Sequence, residues 1–285
     1  MQASLALAGA SVLPKAWAAP ANQPLGVQLF TLFGQIEKDV KGNMQQLAQL
    51  GYKEIESAFS FLPGFYGMSA KEWDGFLKSI GLNWVSHHVI GAPFKPRPGM
   101  DTSRMPKFLN LRDNSDEVIE GLAGTGLKYL VCANIPVETR KEMDEAVEIL
   151  LKVGKKAKAA GLTFCFHNHD AEFKAVDGLR PFDLFSKEIP TELLKFELDL
   201  GWASKAKVDP VQLFQAQPGR FPLCHIKDFD REFKEILPLG EGHIDYARIF
   251  AAAKQGGLQH YFIEHDMPKD AFASLKTSKM AFDRL

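Results

Sequence analysis

The sequence predicts an α/β protein built as a single (β/α)8 barrel, with parallel strands inside and helices outside. Three observations predict it. From residue 26 onward short apolar runs alternate with amphipathic stretches, glycines punctuate the junctions, and no Pro/Ser-rich linker splits the chain. The strands are expected at 26–31, 52–57, 83–89, 128–134, 162–169, 194–201, 221–228 and 260–266. Eight units over about 240 residues give roughly 30 residues each, the length a βα unit requires. Between strands, Met143, Ala146, Val147, Leu150 and Leu151 follow the i, i+3, i+4, i+7, i+8 spacing of a helix with one apolar face. Gly51, Gly81, Gly126 and Gly161 stand just before strands, where helices stop. A doubly wound sheet is the alternative, but the GxGxxG fingerprint of its dinucleotide-binding form is missing.

Residues 1–19 read differently. Positions 3–13 are small, apolar and uncharged, and Pro14-Lys15 and Ala16-Trp17-Ala18 follow. This is the pattern of an export signal cut after Ala18 or Ala19, too short to span a bilayer; a buried N-terminal helix of a cytoplasmic protein is the alternative. The barrel domain is then 20–285, working in a periplasm-like compartment. Of 285 residues 46% are hydrophobic and the net charge is −1, which excludes a disordered chain and gives no reason to expect a nucleic-acid surface. Cys132, Cys165 and Cys224 form no CxxC pair, so neither a disulfide scaffold nor a thiolate zinc site is expected.

Alternation along each strand separates two faces. Phe164 and Phe166 outward put His167 and His169 inward; Phe196, Leu198 and Leu200 outward put Glu197 and Asp199 inward. The same phasing turns in His225, Lys227, Glu264, Glu56 and, from Val85 and Val89 outward, His88. All fall near C-terminal strand ends, where barrel enzymes place their active sites. His167, Asp199, His225 and Glu264, from strands five to eight, thus point at one spot, with His169 on the same face of strand five as the alternative to His167. Two carboxylates and two imidazoles buried together need compensation, and one divalent cation (Mn, Co, Zn or Fe) supplies it. Base candidates are Glu264 and His169, with Lys227 stabilising an oxyanion. Glu56, His88, Trp202 and Glu172 are candidates for substrate binding. Phe59, Phe61, Phe65 and Tyr66 lie on loops at the same mouth. The Gly240-Glu241-Gly242 turn reads as a tight turn shaping the mouth in preference to a phosphate loop.

With these residues assembled, the chain resembles the xylose isomerase-like TIM-barrel superfamily, and within it the sugar phosphate isomerase/epimerase family, over about residues 25–266. The resemblance rests on Gly26-Val27-Gln28-Leu29, Phe166-His167-Asn168-His169-Asp170 with Glu172-Phe173, and Leu198-Asp199-Leu200-Gly201-Trp202. Cys224-His225-Ile226-Lys227-Asp228, the segment 239–245 and Ile263-Glu264 complete it. It implies a Glu, Asp, His, Glu metal set on strands five to eight. Asp199, His225 and Glu264 match the last three, and His167 stands where many epimerases carry glutamate. In ketose epimerases of this type the two glutamates exchange the proton on opposite faces of a sugar carbon. The imidazole removes half of that apparatus, or hands its task to His169, Glu172 or Lys227. The resemblance implies a metal-dependent isomerase or epimerase acting on a small carbohydrate by proton abstraction beside a polarised carbonyl. A His-containing set with an export signal resembles members acting on unphosphorylated or 3-keto sugars. A lyase or hydrolase of 3-keto glycosides and a non-catalytic sugar-binding barrel are the alternatives.

Overall fold

The computed structural model describes residues 23–96 and 108–285. The export reading of residues 1–19 falls outside them. Eight parallel strands close into one barrel: Leu25–Gln28, Glu54–Ser57, Asn83–Val89, Tyr129–Cys132, Thr163–His167, Lys195–Asp199, Leu223–Ile226 and His260–Ile263. Each pairs with the next in sequence, and the first closes on the eighth with Leu25 opposite Tyr261. A small antiparallel ladder, Asp228–Phe229 with Ile236–Leu237, stands above the seventh strand.

Helices wrap the outside, and their starts are written locally. Ser69 with Glu72 and Thr139 with Glu142 form reciprocal capping boxes for Ala70–Ser79 and the 20-residue Arg140–Ala159. Outward strand residues such as Phe166, Phe196, Leu198 and Ile226 pack against this jacket as the main core, together with Leu150, Phe182 and Phe185. Inside the barrel a smaller cluster of Val85, Tyr129, Val131, Cys165, Leu223 and Phe262 fills the space. Among the described residues no helix is long and apolar enough to cross a membrane.

The structure corrects three local expectations. Strands two and three end at Ser57 and Val89 as expected, while the other six stop two or three residues early. In strand six Leu200 and Gly201 open the helix Leu200–Lys205, because the Asp199 side chain caps it. Gly126 does not end a helix; Leu111–Leu122 stops earlier, and Gly124 takes the left-handed conformation (φ +76°). Val85 faces inward, since strand three carries a one-residue register shift in which Ile55 pairs with Trp84 and Glu56 with Ser86. The bulge lets Val85, Ser86 and His88 all serve the interior.

Candidate active site

The upper half of the barrel is polar. Gln28, Glu56, Ser86, His167, Glu197, Asp199, His225, Lys227 and Glu264 are all buried there, and His88 nearly so. His167, Asp199, His225 and Glu264 each place a ligand-type atom within 4.8 Å of the others. That is close to the ~4.4 Å across a coordination sphere with 2.0–2.2 Å bonds. His88, His167, Glu197 and His225 make a second such group just below it.

His225 joins the two tiers. Its Nδ1 lies 2.9 Å from Glu264 Oε2 and 3.9 Å from Asp199 Oδ2. Its Nε2 lies 2.5 Å from Glu56 Oε1, on the opposite side of the ring. Glu56 is itself anchored: Gln28 Nε2 donates to Oε1 at 2.8 Å and Ser86 Oγ donates to Oε2 at 2.5 Å. His88 Nε2 closes the lower tier, 2.5 Å from Glu197 Oε2 and 3.1 Å from Glu56 Oε1. Above, Lys227 Nζ pairs with Glu264 at 2.8 Å, Asp266 at 2.8 Å and Asp199 at 3.3 Å.

Backbone architecture places these groups. Asp199 Oδ1 accepts the Trp202 N–H at 2.7 Å, and Asn168 clamps the Asp199 backbone through both its N–H and its C=O. A Cβ on Gly201 would sit 2.2 Å from the Lys227 carbonyl oxygen, so only glycine lets the strand-six turn lie against strand seven. Tyr246 holds Lys227 from behind, accepting its N–H and donating to its C=O.

Sequence phasing faced Glu197 inward without giving it a role, and it left out Asp266, Gln28 and Ser86 as partners. Glu197 and Asp266 carry a signal, two residues from Asp199 and Glu264 along the same faces; Gln28 and Ser86 carry none that singles them out. Trp202 edges the cluster, its ring 4.9 Å from Lys227 Nζ and 5.9 Å from the His169 ring. His169 lies just past the end of strand five, 5.0 Å from the His167 ring, and its own ring nitrogens make no hydrogen bond among the described residues. Glu172 stays apart from the cluster; its carboxylate accepts the His169 backbone N–H at 2.7 Å. Tyr66 and Phe65 are packing residues, the first bridging Ala58 through its hydroxyl and the second stacked edge-on against Trp84 and His87.

Electrostatics divides the groups. Burial pulls His225 and His88 down, but the surrounding carboxylates outweigh it: Glu197, Glu264 and Glu56 hold His225 well above its ordinary value, and Glu56 and Glu197 lift His88 to about 9. Burial raises Glu56, yet His88 and His225 carry it well below a free carboxylate. His167 is driven well down by burial and by the charge of His225, and His169 to about 4 by burial and Lys227. Burial lifts Glu197, with Glu56 adding to the effect, and lifts Asp199 to about 6 against Lys227 and His225.

The donor set suits a divalent cation. His167 Nδ1, Asp199 Oδ2 and Glu197 Oε1 are buried without a hydrogen bond, although Glu197 Oε2 lies 3.3 Å from His167 Nδ1 and Asp199 Oδ2 lies 3.3 Å from Lys227 Nζ. A neutral imidazole and carboxylates with spare oxygens, in a pocket rich in negative charge, are what a hard-to-borderline cation satisfies.

The turn at Gly240-Glu241-Gly242 is already spent. Asp228 Oδ2 accepts the N–H groups of Gly240 and Gly242, and Oδ1 those of Phe229 and Ile244. These amides are committed to a side chain, so the turn shapes the mouth.

The profile of the xylose isomerase-like TIM barrel matches residues 44–282. No curated protein is close enough in sequence to match. Among solved structures, a sugar phosphate isomerase/epimerase from Parabacteroides distasonis is similar at 24% identity and TM-score 0.74, over 92% of this chain and 93% of that one. An L-ribulose 3-epimerase is similar at 16% identity and TM-score 0.63, over 90% and 92%. The IOLI protein with a binding zinc atom is similar at 14% identity and TM-score 0.67, over 91% and 96%. With a closed eight-stranded barrel and a profile match spanning most of its length, the chain belongs to the xylose isomerase-like TIM-barrel family.

Proposed function

We propose that this protein is a divalent-metal-dependent isomerase or epimerase of an unphosphorylated sugar or polyol, working by proton transfer at the carbon beside a carbonyl. The observation that carries this reading is the convergence of His167, Asp199, His225 and Glu264 at the C-terminal rim, with His167 Nδ1 in that set and Glu197 Oε1 beside it buried without a hydrogen-bond partner. Those four residues would hold the cation, His225 through the Nδ1 that faces Glu264 and Asp199. Bound there, a divalent cation supplies Lewis acidity toward a substrate carbonyl.

The rest is the work of the chain's own groups. His169 is neutral near pH 7, because burial and Lys227 lower it to about 4; with its ring nitrogens unbonded it is a candidate proton acceptor from the mouth side, a weaker base than a free imidazole. Lys227, held by three carboxylates, gives fixed positive charge to the oxygen that becomes negative as the proton leaves. Trp202 Nε1, buried without a hydrogen-bond partner, is a donor left for a sugar hydroxyl. Glu264 faces the same space from strand eight and, held deprotonated against its burial by Lys227 and His225, is the second candidate acceptor; whichever group takes the proton gives it back to the carbon. The similar structures named as sugar phosphate isomerase/epimerase and L-ribulose 3-epimerase support the reaction class, and the zinc-binding neighbour supports the cation. The committed amides around Asp228 support an unphosphorylated substrate. Export through residues 1–19 belongs to the same proposal.

The test is solvent exchange. The purified protein, incubated with ketopentoses and ketohexoses in D2O, is expected to place deuterium at the carbon beside the carbonyl and to contain about one equivalent of metal by elemental analysis. Asp199→Ala and His225→Ala are expected to lose both. A metal-free wild-type protein, or sugar binding without exchange that Asp199→Ala leaves intact, would replace this reading with a non-catalytic barrel.

A further inference from the structure

One side of the barrel mouth is aromatic. Phe30 and Phe33 follow strand one, Phe59 and Phe61 follow strand two, and Phe108 follows strand three. Their rings form one connected set, with centroids 5.0 Å apart for Phe59–Phe108, 5.2 Å for Phe30–Phe33, 5.8 Å for Phe33–Phe59 and 6.0 Å for Phe59–Phe61. Phe59 and Phe61 are still 37% and 43% exposed. The shelf is built, not loose: the Phe61 N–H and the Ser60 hydroxyl both donate to Glu37 Oε1, and the Phe30 N–H donates to Gln28 Oε1.

Gln28 links the shelf to the polar cluster, because its Nε2 donates to Glu56, which in turn pairs with His225. The mouth therefore has two sides. The ends of strands five to eight present imidazoles, carboxylates and Lys227, and the segments that follow strands one to three present phenyl faces above Gln28, Glu56 and His88. An amphipathic ligand, polar at one end and aromatic at the other, matches both.

We propose that the phenylalanine shelf is a subsite for a ring-bearing apolar substituent, so that the substrate is an aryl conjugate of a sugar that keeps a free carbonyl, such as an aryl glycoside with a keto group on its sugar ring. Ordinary glycosides, which lack that carbonyl, serve as unreactive binding probes. The proposal rests on the sugar reading of the polar cluster. Size selects this occupant over a protein. A phenyl side chain carries roughly 200 Å², so two rings about 40% exposed offer about 160 Å². A stable protein interface needs about 800 Å² per partner. One phenyl or fused ring covers the shelf, and rigid phenylalanines lose little entropy in receiving it.

The test is a calorimetric titration of the metal-loaded protein with matched phenyl and methyl glycosides of glucose, galactose and xylose, and with phenol alone. The phenyl member of a pair is expected to bind at least about ten-fold tighter than its methyl partner, roughly one stacked ring's contribution. In Phe59→Ala/Phe61→Ala that ratio is expected to fall toward one. Phe59→Leu/Phe61→Leu, which keeps apolar volume without a flat face, is expected to fall between, and unchanged thermal melting confirms folding in both. Equal affinity within every pair overturns the shelf while leaving the sugar reading in place. Phenol binding as well as its glycosides, with methyl glycosides not bound, overturns both. Concentration-dependent dimerisation abolished by the alanine pair assigns the shelf to a second copy and overturns the proposal, as does absence of binding by every probe.

Discussion

Glu56 shows how one side chain governs another. Its charge meets His225 Nε2 at 2.5 Å, and with Gln28 and Ser86 on its oxygens it has no freedom to turn toward a sugar. A carboxylate on the far nitrogen of a ligating imidazole fixes its tautomer and raises its basicity, and losing it costs about 10–100-fold in metal affinity. Glu56→Gln keeps an acceptor and removes the charge. It is therefore expected to weaken cobalt binding by about that factor and to shift the cobalt absorption bands, measured by titration of the apoprotein. Unchanged affinity would return Glu56 to plain structural duty. Period-two alternation made the inward face of His167, Asp199, His225 and Glu264 readable in the sequence. It could not pair Glu56 with His225, 169 residues away, because facing inward does not say at what height or against whom.

At the level of elements, the turn after strand five carries a titratable brace. Glu172, in the short 3-10 helix Ala171–Phe173, receives the His169 N–H, and burial raises its carboxyl to about 7. A folded-state value above the unfolded one means that the native chain holds the proton more tightly. The contribution is complete below about pH 4.5 and is lost as pH rises through 7. Glu172→Gln keeps the acceptor and removes the ionisation. It is expected to flatten the fall in stability between pH 5 and 8, and to be more stable than the parent at pH 8 by about 1–3 kcal/mol in urea unfolding. A parallel pH dependence in the two proteins would refute this. Strand and helix positions were legible here because apolar periods and caps are local signals. Strand three's extra residue was not, since a bulge is set by the neighbouring strand's register.

For the molecule as a whole, closure depends on one small residue at the seam. A Cβ on Gly26 would come within 2.4 Å of Phe262 Cδ1 and 3.1 Å of Glu54 Cβ, where strand one meets strands eight and two. Gly26→Ala is expected to cost about 1–3 kcal/mol by denaturant unfolding, as overpacked cores do, with partial recovery when Phe262→Leu makes room. No loss of stability would mean that the seam is slack. The repeating strand–helix rhythm announced the barrel in the sequence; which residue pair seals it is a matter of volumes meeting across 236 positions, visible only in three dimensions. At the other end of the same cylinder, the Asp228 carboxylate gathers four amides of the segment that joins strands seven and eight. That segment is thereby fastened at its own root and forms a fixed wall of the vestibule. On the proposed reading, adjustment to a bound molecule then falls to the opposite wall, where Phe59 and Phe61 stand partly exposed.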